Sequence, residues 1–316
     1  VIQKSFQSHP FMTTAANTAP TFTSRLVNGL LSIKPLANFA KQRARTMMIQ
    51  RAESIGVPWR QRVQELRSLD WETRLDQIRD PNLTYPDYYL TSFHAYENGN
   101  LSWDAALEVE VAAYAVHARI WSDGGAEGDP KLRQSYHDIL KGQLTIEPQD
   151  ILDIGCSVGM STLALQGVYP DAKVTGVDLS PYFLAVAQYR AEQQNAQITW
   201  KHAAAEATGY PDASFDLVSA FLIFHELPQT AAREILQEAG RLLRPGGYFT
   251  LMDMNPRSQI YRQMPPYILT LLKSTEPYLD RYFALDLEQT MVDAGFCSPT
   301  IVCNSPRHRT VVAQVR

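Results

Sequence analysis

The 316-residue sequence predicts an α/β fold in which a mostly parallel sheet carries helices on both faces behind a helical N-terminal region. Three observations predict it. From about residue 150 onward, short apolar runs alternate with helical patterns at regular spacing, which implies parallel strands joined by crossover helices. The first of these runs ends in a glycine-bearing turn that passes straight into a helix. The last two runs follow one another with only a turn-like segment between them and close as a hairpin.

Taken in order, residues 1–24 carry no strong periodicity and read as a loose tail. A helical pattern then runs through Leu36, Phe39, Ala40, Met47, Met48 and Ile55; Pro58 closes it, and Val63 and Leu66 belong to a second helix. Residues 85–96 are dense in aromatics, and residues 103–120 read as an Ala-rich helix. The polar, glycine-rich loop 123–130 is the expected boundary, giving a tail (1–24), an N-terminal helical region or lid (25–129) and a main domain (130–316). Within the main domain, strands are expected at 150–154, 173–178, 198–202, 215–221, 248–254, 300–303 and 310–314. Helices are expected at 132–140, 160–169, 181–194, 230–243, 267–273 and 285–293.

Bulk properties exclude several classes. A net charge of −4 gives no global signal for nucleic acid or an anionic membrane. The cysteines Cys156, Cys297 and Cys303 form no Cys-x-x-Cys pair, which argues for a reducing compartment and against structural zinc; no metal ligand set is read. No charge-free apolar run reaches the roughly 20 residues of a transmembrane helix. Residues 1–52 lack Asp and Glu but carry Lys4, Arg25, Lys34, Lys41, Arg43, Arg45 and Arg51. This leader reads first as a loose arm of a cytoplasmic protein and alternatively as a transit segment for a plastid or another organelle. Its basic helix is expected to dock on its own domain, with peripheral membrane contact as the alternative.

In an open parallel sheet, ligands bind outside the carboxyl ends of the strands, where the strand order reverses. The first strand ends at Asp153-Ile-Gly155-Cys156-Ser-Val-Gly159. Gly155 permits a tight turn, and Gly159 permits close backbone approach to a ligand. Ser157 and Met160 stand where the dinucleotide pattern Gly-x-Gly-x-x-Gly needs glycine, so a pyrophosphate ligand is not indicated. Asp178 closes the second strand 19 positions beyond Gly159 (178 − 159), placed to accept hydrogen bonds from both hydroxyls of a ribose.

Together, Asp153–Gly159 and Thr175-Gly-Val-Asp178-Leu-Ser resemble the first two signature segments of class I S-adenosylmethionine methyltransferases. Pro211-Asp-Ala-Ser-Phe215-Asp216-Leu-Val and Arg241-Leu-Leu-Arg-Pro245-Gly246-Gly247-Tyr-Phe resemble the family's later segments. The resemblance covers about residues 130–316 and is nearest to quinone-type and small-molecule enzymes. It implies a Rossmann-like, seven-stranded sheet whose C-terminal hairpin adds one antiparallel strand, and S-adenosylmethionine as cofactor. It also implies that Asp153 orients the methionine part, that Gly155, Cys156 and Gly159 form the loop beside it, that Asp178 holds the ribose and that Leu179 packs on adenine. Phe221 would end near the methyl group. The family often has Gly-Asp-Ala after the third strand, with the Asp on the adenine amino group. Here Ala204 takes that slot, which leaves backbone groups or Glu206 to read the base.

Methyl transfer is an in-line displacement that depends on proximity and orientation, and a base is required only where the acceptor must lose a proton. His225, just past the fourth strand, is the first candidate for acceptor contact or general base. His94 and Tyr96 of the aromatic segment are the candidates from a lid that would cover the sulfonium. Phe93-His-Ala-Tyr96 and Gly99-Asn-Leu-Ser-Trp103 are similar to segments of little-characterised methyltransferases of photosynthetic organisms. The expected partner is a small-molecule acceptor, whose reacting atom (oxygen, nitrogen or carbon) and the chain's oligomeric state are left open; no nucleic acid is expected. A nicotinamide-dependent oxidoreductase and a non-catalytic cofactor-binding protein are the alternatives.

Overall fold

The computed structural model describes residues 34–316 except 92, 93 and 95, with backbone alone for 34–41. The expectations for residues 1–33, and those for the side chains of Leu36, Phe39, Ala40 and Phe93, lie outside the described residues; the described end of the basic helix packs Ile49 and Ala52 on its own domain.

Seven strands form one sheet: β1 (Asp150–Ile154), β2 (Lys173–Asp178), β3 (Ile198–His202), β4 (Phe215–Phe221), β5 (Leu243–Met254), β6 (Thr300–Cys303) and β7 (His308–Gln314). Their order is β3-β2-β1-β4-β5-β7-β6. The first five strands pair in parallel, and β7 runs antiparallel between β5 and β6, as the resemblance implied. The order reverses between β1 and β4, so a crevice opens beyond their carboxyl ends.

The sheet is apolar on both faces because successive strand residues point to opposite sides. Ile151 packs with Leu132, Tyr136, Leu140 and Leu165, whereas its neighbour Leu152 packs with Ile235, Leu236 and Ala239. Each such buried aliphatic side chain contributes roughly 1.5–3 kcal/mol relative to exposure. A polar cluster is admitted to this core: the Tyr136 hydroxyl meets Ser219 Oγ at 2.9 Å and Thr250 Oγ1 at 2.6 Å, joining its helix to β4 and β5.

The N-terminal helices are α1 (Lys34–Ser54), α2 (Trp59–Arg67), α3 (Glu72–Ile78) and α4 (Trp103–His117). One side of α4 packs Val111 and Ala115 against Ile49, Ala52, Trp59 and Val63. Its other side packs Ala105, Ala106 and Leu107 against Phe183, Ala185 and Val186. Burial on two sides explains the alanine content, since small residues allow close helix approach. The remaining helices are α5 (Gly128–Gln143), α6 (Met160–Val168), α7 (Pro181–Gln193), α8 (Gln229–Leu242), α9 (Gln259–Arg262), α10 (Pro266–Thr275), α11 (Leu279–Phe283) and α12 (Leu287–Asp293). Among the described residues, no helix is long and apolar enough to cross a membrane.

Most element boundaries shift from the expectation by no more than three residues, and three differences have a structural reason. The helix expected from 132 begins at Gly128, because Asp129 is buried between His117 (2.7 Å) and Arg133 (2.9 Å), and a proline is tolerated in a first turn. A side chain at Gly128 would strike the His117 carbonyl, which explains the glycine in this packed stretch. The fifth strand begins at Leu243, before the Pro-Gly-Gly turn, with a register shift opposite Phe215/Leu217. The short helices α3, α9 and α11 were not read, being too brief for a periodic pattern.

Candidate active site at the strand ends

The loop after β1 is held by acids on either side. Gly155 and Gly159 adopt φ of +64° and +78°, and Ser157 adopts +50°, a left-handed conformation that costs energy for a residue with a Cβ. That conformation persists because the Ser157 N–H donates to Asp178 Oδ2 at 2.8 Å. A Cβ on Gly155 would collide with the Ile223 side chain, and one on Gly159 would meet the Trp200 ring at 2.7 Å. Trp200 also lies across its cross-strand partner Gly176, so the edge strand β3 supports the loop through one indole. Cys156 is buried with its sulfur toward Gly176, and burial pushes the thiol well up, so it is an inert packing group.

Asp153 is fully buried beneath this loop. Its Oδ2 accepts hydroxyl hydrogen bonds from Ser161 and Thr162, both at 2.7 Å, while Oδ1 has no partner among the described residues. Burial lifts its carboxyl to about 6, against the two hydroxyls. Asp178 is pushed up to about 6 by the same cause, and the N–H groups of Ser180 and Ser157 oppose the rise. Each oxygen of Asp178 accepts one backbone N–H at 2.8 Å and keeps capacity for another donor; Tyr89 Oη stands 3.4 Å from Oδ1.

Leu179 is buried, and its carbonyl accepts from His202 Nε2 at 3.0 Å; His202 Nδ1 accepts the Asp80 N–H at 2.9 Å, which clips the N-terminal region to β3. Beyond β3, Ala204 is buried in a backbone turn. Glu206 accepts from the Tyr88 hydroxyl at 2.9 Å through Oε1 and leaves Oε2 buried without a partner. Phe221 is buried against Tyr136, with the Arg133 guanidinium 4.5 Å above its ring.

Asp153 Oδ1, Ser157 Oγ and Glu206 Oε2 are thus three buried polar atoms, at or beyond the carboxyl ends of β1 and β3, without partners among the described residues. Each costs about 1–3 kcal/mol if it stays unsatisfied, so their grouping calls for a polar ligand. S-Adenosylmethionine offers an ammonium, ribose hydroxyls and an adenine amino group, and the residues present fit it.

The acceptor side is assembled from distant segments. His225 follows β4, and its Nδ1 lies 2.8 Å from Asp253 Oδ1 at the end of β5; its backbone N–H donates to Oδ2 at 3.2 Å. His94 Nε2 stands 3.4 Å from Glu226 Oε1 and 3.2 Å from Glu276 Oε1. Its N–H donates to the Thr275 carbonyl at 3.3 Å, and its φ is +49°. Burial works against charge on both imidazoles, yet Glu276 and Glu226 lift His94 to about 9, and Asp253 with the same glutamates lifts His225 to about 10.

Of the three residues read as catalytic candidates, His225 and His94 come together. Tyr96 does not: its hydroxyl donates to Glu108 at 2.8 Å, the carboxylate through which Arg45 ties α1 to α4. Asp253 and Glu276 were not read from sequence, whereas Tyr89 lies in the aromatic segment expected to form the lid and Ile223 in the run past the fourth strand expected near the methyl group. Asp253 did carry a signal, as an acid inside the apolar run Phe249–Met254.

Comparison with known proteins agrees with this geometry. A sequence model described as "Methyltransferase domain" matches residues 151–247. An uncharacterised methyltransferase of Synechocystis is 30% identical over 164 residues, covering 52% of this chain and 74% of that protein. A ubiquinone biosynthesis O-methyltransferase of Nitrosomonas europaea is 28% identical over 206 residues, covering 61% and 84%. Among solved structures, a phosphoethanolamine N-methyltransferase of Haemonchus contortus shares the fold at a TM-score of 0.50 and 16% identity, covering 69% of this chain and 60% of that one.

Proposed function

The chain belongs to the class I S-adenosylmethionine-dependent methyltransferases, and on that premise we propose that its acceptor is the hydroxyl oxygen of a small molecule, faced by His225. When bound, S-adenosylmethionine supplies a methyl group on a positively charged sulfur. Asp178 would hold the ribose and Asp153 the ammonium, with Gly155 and Gly159 giving the loop the left-handed turns and close packing that place it between them. Glu206 and the backbone around Ala204 would read adenine in place of the family's usual acid.

The observation that carries the acceptor reading is the His225–Asp253 pair, two residues beyond Ile223, whose side chain lies on Gly155. Asp253 accepts the Nδ1–H hydrogen bond and leaves Nε2 for the acceptor. The pair favours the imidazolium, so an acceptor arriving as its oxygen anion meets a cation directly. One arriving as a hydroxyl gives its proton to Nε2 of the neutral ring. Both routes reach the same imidazolium–oxyanion pair, which leaves an oxygen lone pair to attack the methyl carbon. The name of the Nitrosomonas relative supports an oxygen acceptor.

The test is S-adenosylhomocysteine formation with a panel of small phenols, catechols and amines. His225→Ala should lower turnover by about 100-fold, within the usual range for a proton-transfer group, while S-adenosylmethionine affinity stays unchanged. Unaltered turnover would remove His225 from the reaction, and methylation of amines alone would overturn the oxygen acceptor.

A further inference from the structure

We infer that His94, His225, Glu226 and Glu276 form a binding site for one divalent first-row transition-metal ion. One ligand atom from each lies within 4.8 Å of the other three, and no other group of three or more His, Cys, Asp or Glu among the described residues does this. The separations suit an ion: His94 Nε2 is 3.2 Å from Glu276 Oε1 and 3.4 Å from Glu226 Oε1, and His225 Nε2 is 4.0 Å from Glu226 Oε1. Ligands at the roughly 2.1 Å typical of zinc–nitrogen and zinc–oxygen bonds lie about 3.4 Å apart around a tetrahedral ion.

Two further observations separate this cluster from a pair of ordinary ion pairs. Glu276 is 93% buried (7% exposed), yet its Oε2 has no hydrogen-bond partner among the described residues. The ligands are also oriented from behind. Asp253 occupies His225 Nδ1 at 2.8 Å, so that Nε2 faces the cluster, and Asn100 donates to Glu226 Oε2 at 3.4 Å. A carboxylate behind a ligating histidine is the arrangement that fixes its tautomer and raises its basicity at metal sites. Glu226, Glu276 and Asp253 bring three carboxylates toward two imidazoles, so a divalent cation can take the place of two ring protons with no change in net charge.

Two nitrogens and two carboxylate oxygens, with no thiolate, favour manganese, iron, cobalt or zinc over magnesium or calcium, which prefer all-oxygen shells. The His94 side chain is 37% exposed, so the site reaches solvent on one side and an ion there keeps positions for an acceptor's oxygens. That last role rests on the methyltransferase reading; the site itself does not. With the ion present, His225 Nε2 faces the metal, and the acceptor oxygen is held through the ion instead of through the ring.

The experiment is titration of the chelator-treated full chain with Co2+, Mn2+, Zn2+ and Mg2+, read by calorimetry and by the visible absorption of Co2+, with S-adenosylmethionine affinity measured in parallel. The expected result is one site for Co2+, with Mg2+ at least tenfold weaker. Glu276→Gln and His94→Asn should each weaken Co2+ binding at least tenfold and leave S-adenosylmethionine affinity unchanged. Absence of saturable Co2+, Mn2+ or Zn2+ binding overturns the site, as does undiminished binding in either variant. If metal binding fails while S-adenosylmethionine still binds, only this inference falls; loss of S-adenosylmethionine binding by the wild-type chain would strike the cofactor assignment instead.

Discussion

The loop of Asp153–Gly159 and the cluster around His225 stand side by side at the carboxyl edge of the sheet, but they are held in opposite ways. The loop is braced locally: Asp153 is gripped by Ser161 and Thr162 one turn ahead, and Ser157 by Asp178 on the neighbouring strand. The cluster draws on four separate segments, with His94 from the N-terminal region, His225 and Glu226 after β4, Asp253 on β5 and Glu276 after α10. Its two sides meet through the bond from the His94 N–H to the Thr275 carbonyl. A common cofactor can be served by a self-braced loop, whereas an acceptor pocket joined from several segments can change with any of them.

The sharpest way to break this contrast is Asp178→Ala. It removes the acceptor of two charge-assisted backbone hydrogen bonds along with the proposed ribose contact, each worth about 1.5–3 kcal/mol. S-Adenosylmethionine affinity should fall by about 100-fold or more, with Co2+ affinity at the cluster unchanged. An unaltered dissociation constant for S-adenosylmethionine would remove Asp178 from the cofactor site. Asp253→Asn is the reverse probe, because it disturbs only the cluster. The amide leaves His225 without its charged partner, so turnover should drop about tenfold with the KM for S-adenosylmethionine unchanged. A rise in that KM would show that the two regions are coupled.

Tyr96→Phe should have the smallest effect. It deletes one hydrogen bond to the buried Glu108, which keeps Arg45, so stability should fall by about 1 kcal/mol and turnover should stay within twofold. A large loss of turnover with little loss of stability would return Tyr96 to the acceptor site.

The same contrast explains what could be read before folding. The strand–loop–helix around Gly155 and the acid at 178 are contiguous, and their spacing carries the chemistry. The sheet was legible for the same reason, since buried parallel strands are short apolar runs between amphipathic helices. Glu276 gives no such signal, because what makes it notable is His94, 182 positions away (276 − 94), and that proximity depends on how α10 packs. Tyr96 shows the converse: its polarity suggested a ligand, and the partner its hydroxyl has in the structure is the buried Glu108 on α4. Trp200 escaped notice although its register partner Gly176 is a strand glycine, a position that invites a cross-strand ring.

The most direct measurement is a crystal structure of the chain with S-adenosylhomocysteine. The account predicts the ribose hydroxyls on the Asp178 carboxylate, and Asp153 Oδ1, Ser157 Oγ and Glu206 Oε2 all with hydrogen-bond partners. His225 should lie on the sulfur side of the ligand. A nucleoside bound away from Asp178, with those three atoms still unpartnered, would contradict it.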